Sequence, residues 1–134
     1  IQNIEVSRMI NLAPSAVLER IRKMESQGII DGYEVRLNPE RFNCRQVSFI
    51  NVYPEINTDS DRIADELAAL EEIQEIHFIA GEDCFLLKAR TSDTSHLDEL
   101  LRNRIMHIEG IRKTSTTPVL STRKETARIP IKKP

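Results

Sequence analysis

Residues 12–33 read LAPSAVLERIRKMESQGIIDGY, and this stretch decides how the chain begins. Pro14 suits the first position of a helix, where its missing N–H does no harm. Val17, Ile21 and Met24 then recur at i, i+4 and i+7, which places them on one apolar face. Arg20, Arg22 and Lys23 fall on other faces. Gly28 supplies the left-handed residue that closes a helix, with Ile29 and Ile30 expected to pack back on it. The helix is therefore expected over residues 14–27.

Working upstream, residues 3–10 carry a short helical pattern, with Ile4, Val6, Met9 and Ile10 apolar and Asn3 as the cap. Such a helix is too short to stand alone. Residues 11–13 form a tight connector, so the order is helix, short turn, helix: a helix-turn-helix. In that motif the second helix enters the major groove of duplex DNA. Ser15, Glu19, Arg22 and Lys23 are assigned to the DNA-facing surface, Arg and Lys for phosphates and guanine edges, Ser for phosphate. Arg20 stands at the margin of that set, with pairing to Glu5 as its alternative role. The bland reading, a solvated face with a Glu19–Lys23 pair, is outweighed by the turn and helix that precede it.

Downstream, Tyr33, Val35 and Leu37 alternate with Glu34 and Arg36, the pattern of a strand that Asn38-Pro39 ends. The DNA-binding head with its linking strand is placed at residues 1–37, a second domain at 38–124 and a tail at 125–134. The second domain starts with the β-rich run QVSFINVY at 46–53, stopped by Pro54. Thr58, Asp59 or Ser60 then caps a helix carrying Ile63, Leu67 and Leu70 on one face. Strands follow at 75–80 and 85–89, joined by a hairpin-length loop at 81–84. Asp93 or Ser95 caps a second helix, with Leu97, Leu100, Leu101 and Ile105 inward, and Gly110 is expected to end it. A last strand is expected over 111–122, interrupted by Pro118. The order β-α-β-β-α-β describes a ferredoxin-like domain: an antiparallel four-stranded sheet with both helices on one face. The fold class is α+β, a partial, winged-type helix-turn-helix followed by that domain. Val47, Phe49, Phe78, Phe85 and Leu87 supply apolar side chains in the strands, some on each face. An uncovered apolar sheet face calls for a partner, so a homodimer through the sheets is expected. The tail, ARIPIKKP, is expected to be an extended or disordered arm.

Charge is segmented. Between residues 55 and 99 there are thirteen carboxylates against three basic residues, while 112–133 holds seven basic residues against one Glu. Any nucleic-acid surface should therefore avoid the acidic middle. No apolar run approaches the roughly 18 residues of a membrane span, and no signal peptide opens the chain. Cys44 and Cys84 are too far apart for a disulfide framework or zinc pattern and read as reduced thiols. His77, His96 and His107 share no metal-ligand spacing. A cytoplasmic, nucleoid-associated protein without metal or cofactor is expected.

The head residues and the later run IHFIAGEDCFLLKAR together resemble the Lrp/AsnC (feast/famine) family of transcription regulators. Its pattern is matched by Leu12, Ser15, Val17, Arg20, Ile21, Glu25, Gly28, Ile30, Tyr33, Leu37 and Pro39. The resemblance implies a DNA-binding head, an effector-sensing body and no catalysis. It implies dimers that assemble further, often into octamers, with an amino acid or related metabolite bound between dimers. The effector residues so implied are Gly81, Glu82, Asp83 and Cys84, together with Thr114 and Thr116, whose plainer reading is ordinary strand propensity. Three departures stand out. The family's leading helix is missing ahead of residues 3–10, so weak DNA binding by the chain as given is expected. Ala13 stands where the family has a capping Ser, and Cys84 where it usually has an Asp that holds a ligand's ammonium group. A binding-only module without DNA binding and a family-related haem-precursor decarboxylase remain open alternatives.

Overall fold

A computed structural model describes residues 14–132. The expected helix at 3–10, its cap Asn3, the connector with Ala13, and Glu5 lie outside the described residues. The chain forms two compact units, residues 1–37 and residues 38–134.

In the first unit, helix α1 spans Pro14–Ser26. Val17 is buried and Ile21 and Met24 are half-buried, the i, i+4, i+7 face read from the sequence. Gly28 adopts a φ of +73° and closes the helix, with Ile29 N–H donating to the Met24 carbonyl at 2.8 Å. Of the two residues expected to pack back, Ile30 is half-buried but Ile29 is 65% exposed. The strand expected at 33–37 is not formed. Tyr33, Val35 and Leu37 are all exposed. Alternation marks a segment suited to pairing, but a strand exists only against a neighbour, and no strand pairs with this segment among the described residues.

The second unit begins with a single 3-10 turn, Pro39–Phe42, capped by the Asn38 side chain. Strand β1 (Gln46–Pro54), helix α2 (Ser60–Ala68), strands β2 (Ile73–Ile79) and β3 (Cys84–Thr91), helix α3 (Thr94–Glu99) and strand β4 (Ile111–Pro118) follow. The strands lie in the order β2-β3-β1-β4, every neighbouring pair antiparallel. This is the ferredoxin-like split βαβ arrangement. Alternation divides β1 cleanly: Ser48, Ile50 and Val52 go beneath the helices, while Val47, Phe49, Asn51 and Tyr53 take the open face. In β3, Phe85, Leu87 and Ala89 join the core with Ile63, Leu67, Leu97, Leu100 and Ile105 from the helices. Phe78 packs edge-on against Phe85 on that same face, with ring centroids 5.2 Å apart. Of the five apolar residues expected to supply the sheet faces, only Val47 and Phe49 therefore reach the open one. Most of its remaining surface is polar.

Asp59 proves to be the cap of α2, accepting from the Asp61 and Arg62 N–H groups, and Asp93 that of α3. The second helix ends differently from expectation. After Glu99 it widens into a π turn, Leu100–Ile105, and stops well before Gly110. The i→i+5 bond from Met106 N–H to the Leu101 carbonyl is its signature. The wider turn lets Leu100 and Ile105, five residues apart, both reach the core. Gly110 instead makes the turn into β4 with a φ of +95°, and a Cβ there would stand 2.3 Å from Thr58 Cγ2. Strand β4 also ends earlier than expected, at Pro118, which lies opposite Ser48 and has no N–H to give to the ladder. Beyond it, one bond from Val119 N–H to the Val47 carbonyl continues the contact, and no regular element follows among the described residues.

One polar knot ties the helical layer to the sheet. Glu72, just before β2, is buried. It accepts from Arg104 Nη1 at 3.0 Å and, through its other oxygen, from Arg104 Nη2 and from His96 Nε2 at 2.8 Å. His96 Nδ1 in turn accepts from the Ser92 N–H at 3.0 Å. Arg104 chiefly, and His96 after it, hold the Glu72 carboxyl at about 2 despite its burial. Because the folded carboxyl titrates below its ordinary value of 4.5, its contribution to stability is complete above that value and is lost as pH falls toward 2. Glu72→Gln is expected to cost about 2 kcal/mol at neutral pH by weakening the charged hydrogen bonds to half-buried Arg104, which keeps Glu99 as its other partner, and to flatten the acid limb of stability. Urea unfolding across that pH range reads both, and an unchanged acid limb contradicts the assignment.

Candidate nucleic-acid and effector sites

The first site is the outer face of α1. At 3.6 residues per turn, Ser15, Glu19 and Arg22 lie within about 60° of one another and Lys23 lies beside them. All four are exposed. Val17, Ile21 and Met24 occupy the opposite side, so the helix divides into an inner apolar face and an outer polar one. Arg20 is exposed but sits about 140° round the axis from Ser15, apart from the polar cluster. Its suggested partner Glu5 is outside the described residues. Ser26 extends the outer face by one further turn, its hydroxyl bonded to the Lys23 carbonyl at 2.9 Å. It was legible from the same i+4 spacing. Tyr33 donates to Glu25 Oε1 at 2.8 Å, so the linker's first residue is tied to the helix end.

The second site lies at the β2–β3 hairpin. Gly81 and Asp83 take positive φ angles of 91° and 51°, and Gly81, Glu82 and Asp83 are exposed. Cys84 is not part of the loop. It opens β3 and is fully buried, its sulfur accepting from Asn51 Nδ2 at 3.4 Å. Tyr53 donates its hydroxyl to Glu82 Oε2 at 2.9 Å. The Tyr53 ring carries Lys113 Nζ 4.7 Å and Arg112 Cζ 5.7 Å from its centroid. Loop, aromatic ring, carboxylate and cations therefore converge at one end of the open face. Thr114 and Thr116 are not in that cluster. They pair with Val52 and Ile50, which puts them half-buried on the helix-covered face. Asn51, Tyr53 and Lys113 were missed in the sequence, although the alternation of β1 already set Asn51 and Tyr53 on the face opposite Ile50 and Val52. Both cysteines are free, no cluster of potential metal ligands exists among the described residues, and no helix there is long and apolar enough to cross a membrane.

Comparison with known proteins settles the family. Residues 47–129 match the Lrp/AsnC ligand binding domain, and residues 1–31 match a winged helix-turn-helix DNA-binding model. The chain belongs to the Lrp/AsnC family. It is a DNA-binding, effector-responsive type of transcriptional regulator, as its two matched domains describe. The leucine-responsive regulatory protein of Salmonella typhimurium is 34% identical over 98% of this chain and 82% of its own length, and that of Escherichia coli K12 is 33% identical over the same shares. A transcriptional regulator of Neisseria meningitidis, solved as a complex with L-methionine, superimposes with a TM-score of 0.88 at 26% identity, covering 97% of this chain and 85% of that one. The feast or famine regulatory protein of M. tuberculosis, complexed with L-methionine, gives a TM-score of 0.79 at 30% identity, covering 93% and 84%. These Lrp/AsnC relatives are named as regulators.

The Tyr53–Glu82 bond has a spectroscopic consequence. Glu82 raises the Tyr53 phenol above its usual value by accepting a hydrogen bond from its hydroxyl, and Glu25 does the same for Tyr33. With two Tyr and no Trp in the chain, an ultraviolet titration sees both directly. Glu82→Gln is expected to bring one phenol down and leave the other raised, and Glu25→Gln the reverse. Two unshifted titrations in wild type contradict the pairing.

Proposed function

We propose that the outer face of α1 reads DNA and that a small amino-acid-like effector, bound beside the β2–β3 hairpin, controls it. The carrying observation is the division of α1, with Ser15, Glu19, Arg22 and Lys23 on one exposed side and its apolar residues on the other. Arg22 and Lys23 contact phosphates or guanine edges, Ser15 a phosphate, and Glu19 a base donor. Arg20 serves at the margin. For the effector, Gly81, Glu82 and Asp83 offer the backbone and carboxylates of an exposed turn, with Tyr53 and Lys113 at its side and Cys84 beneath. Lys113 suits a ligand carboxylate and Glu82 an ammonium group. The relatives solved with L-methionine make an amino acid the ligand class to test first. Thr114 and Thr116, on the covered face, belong to the site only where a second copy or a ligand approaches that edge.

Residues 1–37 form the DNA-binding head, 38–124 the sensing and assembly domain, and 125–134 the tail. The chain works as a homodimer through the sheets and as higher assemblies of such dimers, octamers among them. Exposed Tyr33, Val35 and Leu37 support pairing of copies, since an alternating segment without a strand partner is suited to acquire one. Effector binding would then act by shifting assembly, and assembly by setting which half-sites the paired helices span. The site of action is the cytoplasm, at the nucleoid, with no catalytic role.

Binding of mixed-sequence duplex DNA, followed by fluorescence anisotropy across a salt series, tests the α1 assignment. Arg22→Ala and Lys23→Ala are each expected to weaken binding and to reduce the salt slope by about 1, with Arg20→Ala smaller in effect. Slopes unchanged from wild type would remove α1 from the interface.

A further inference from the structure

After β4 the chain does not leave the sheet. Val119 is bonded to Val47 on β1 at 2.9 Å, and Glu125 meets Lys88 and Arg90 on β3. Between these two anchors the segment crosses β1 on the open face, because alternation puts Lys88 and Arg90 on the face opposite Leu87 and Ala89. Glu125 accepts from Arg90 Nη2 with both oxygens, at 3.1 and 3.3 Å, and from Lys88 Nζ. Arg90 also donates to Gln74 at 2.8 Å, and Glu75 lies 3.7 Å from Lys88. The two cations are only 13% and 16% exposed, against 41% for Glu125.

Lys88 and Arg90 sit on β3, one of the two inner strands, Lys88 about midway along it and Arg90 next to its last residue, so Lys88 lies near the middle of the face through which two copies are proposed to meet and Arg90 toward one end of it. In a two-fold interface, residues near the axis approach their own copies. Without a counter-charge, two pairs of cations would face each other as water left, and like charges juxtaposed across an interface are strongly unfavourable. Glu75 lies beside Lys88 but is half-exposed at the sheet's edge strand. The segment that brings Glu125 also carries Leu120, Ile129 and Ile131, all exposed, and Phe49 is exposed on the same sheet face. A second copy is the occupant that covers apolar residues and a neutralised charge pair together.

We propose that the segment after β4 is part of the self-association surface, and that Glu125 makes the open face fit for a second copy of this chain by neutralising Lys88 and Arg90. This rests on the reading that copies pair through the sheets. Sedimentation velocity over a concentration series gives the dimer Kd for wild type, Glu125→Gln and the triple variant Glu125→Gln, Lys88→Gln, Arg90→Gln, with thermal unfolding confirming that each folds. Glu125→Gln is expected to raise the dimer Kd about tenfold or more, with the loss shrinking as salt screens the exposed cations. The triple variant is expected to recover most of the affinity. A role in merely anchoring the tail predicts instead that the triple variant dimerises as poorly as the single one, which would overturn the proposal. Equal or tighter dimers from Glu125→Gln would overturn it too, the tighter case marking the segment as a shield. A wild type that stays monomeric throughout would sink the sheet-face dimer itself.

Discussion

The antiparallel pairing of β1 with β3 at the centre of the sheet is the constraint on which everything else in the second unit depends. Its register, Ile50 opposite Leu87 and Val52 opposite Phe85, places large apolar side chains together under the helices. The same register puts Asn51, Tyr53, Cys84, Lys88 and Arg90 on the other face. A slip of one residue would exchange the two sets, driving Lys88 and Arg90 into the core. Core and surface sites are therefore specified by one choice. The hairpin cluster and the Glu125 clasp lie at different places on one plane because β1 and β3 run antiparallel beneath both.

The helical layer follows from that choice. Leu97, Leu100 and Ile105 must all meet the sheet, and the π turn is the backbone adjustment that lets the last two do so. Glu72 then joins the start of β2 to α3 and the π turn through His96 and Arg104. A buried carboxylate so held is costly if any partner is lost and stabilising only as a set. The proposed effector groups avoid this region: the hairpin residues Gly81, Glu82 and Asp83 are exposed and Tyr53 is half-exposed.

Much of this was legible in the sequence because it rests on local periodicity. The apolar spacing of Val17, Ile21 and Met24 located α1, and β-rich runs bounded by Pro54 and a hairpin-length loop located β1, β2 and β3 to within a few residues. Asp59 and Asp93 were named as caps, though not singled out. Most of what escaped depends on partners far away in sequence. Residues 33–37 look like a strand, but no strand pairs with them among the described residues. Strand β4 ends at Pro118 although β1 runs on to Gln46, so Pro118 stops the strand that the sequence reading carried through it. The π turn is dictated by the sheet's need for Leu100 and Ile105, while an ordinary helical count ran the helix on to Gly110. Tyr53 escaped as a site residue because its role requires Glu82 and Lys113, which approach it only when β1 lies between β3 and β4. Thr114 and Thr116 entered through family resemblance, and the register puts them on the covered face.

The central claim is that the hairpin end of the second unit and the outer face of α1 belong to one linked system. Linkage makes that claim measurable, since an effector that changes DNA affinity must have its own affinity changed by DNA through the same factor. The direct measurement is the Kd for mixed-sequence duplex DNA, titrated with and without each amino acid in turn, with L-methionine and L-leucine first. At least one amino acid should shift that Kd by about fivefold or more, and the duplex should shift that amino acid's own Kd by an equal factor. A DNA affinity indifferent to every amino acid, at concentrations where binding to the protein is itself detected, would contradict the account.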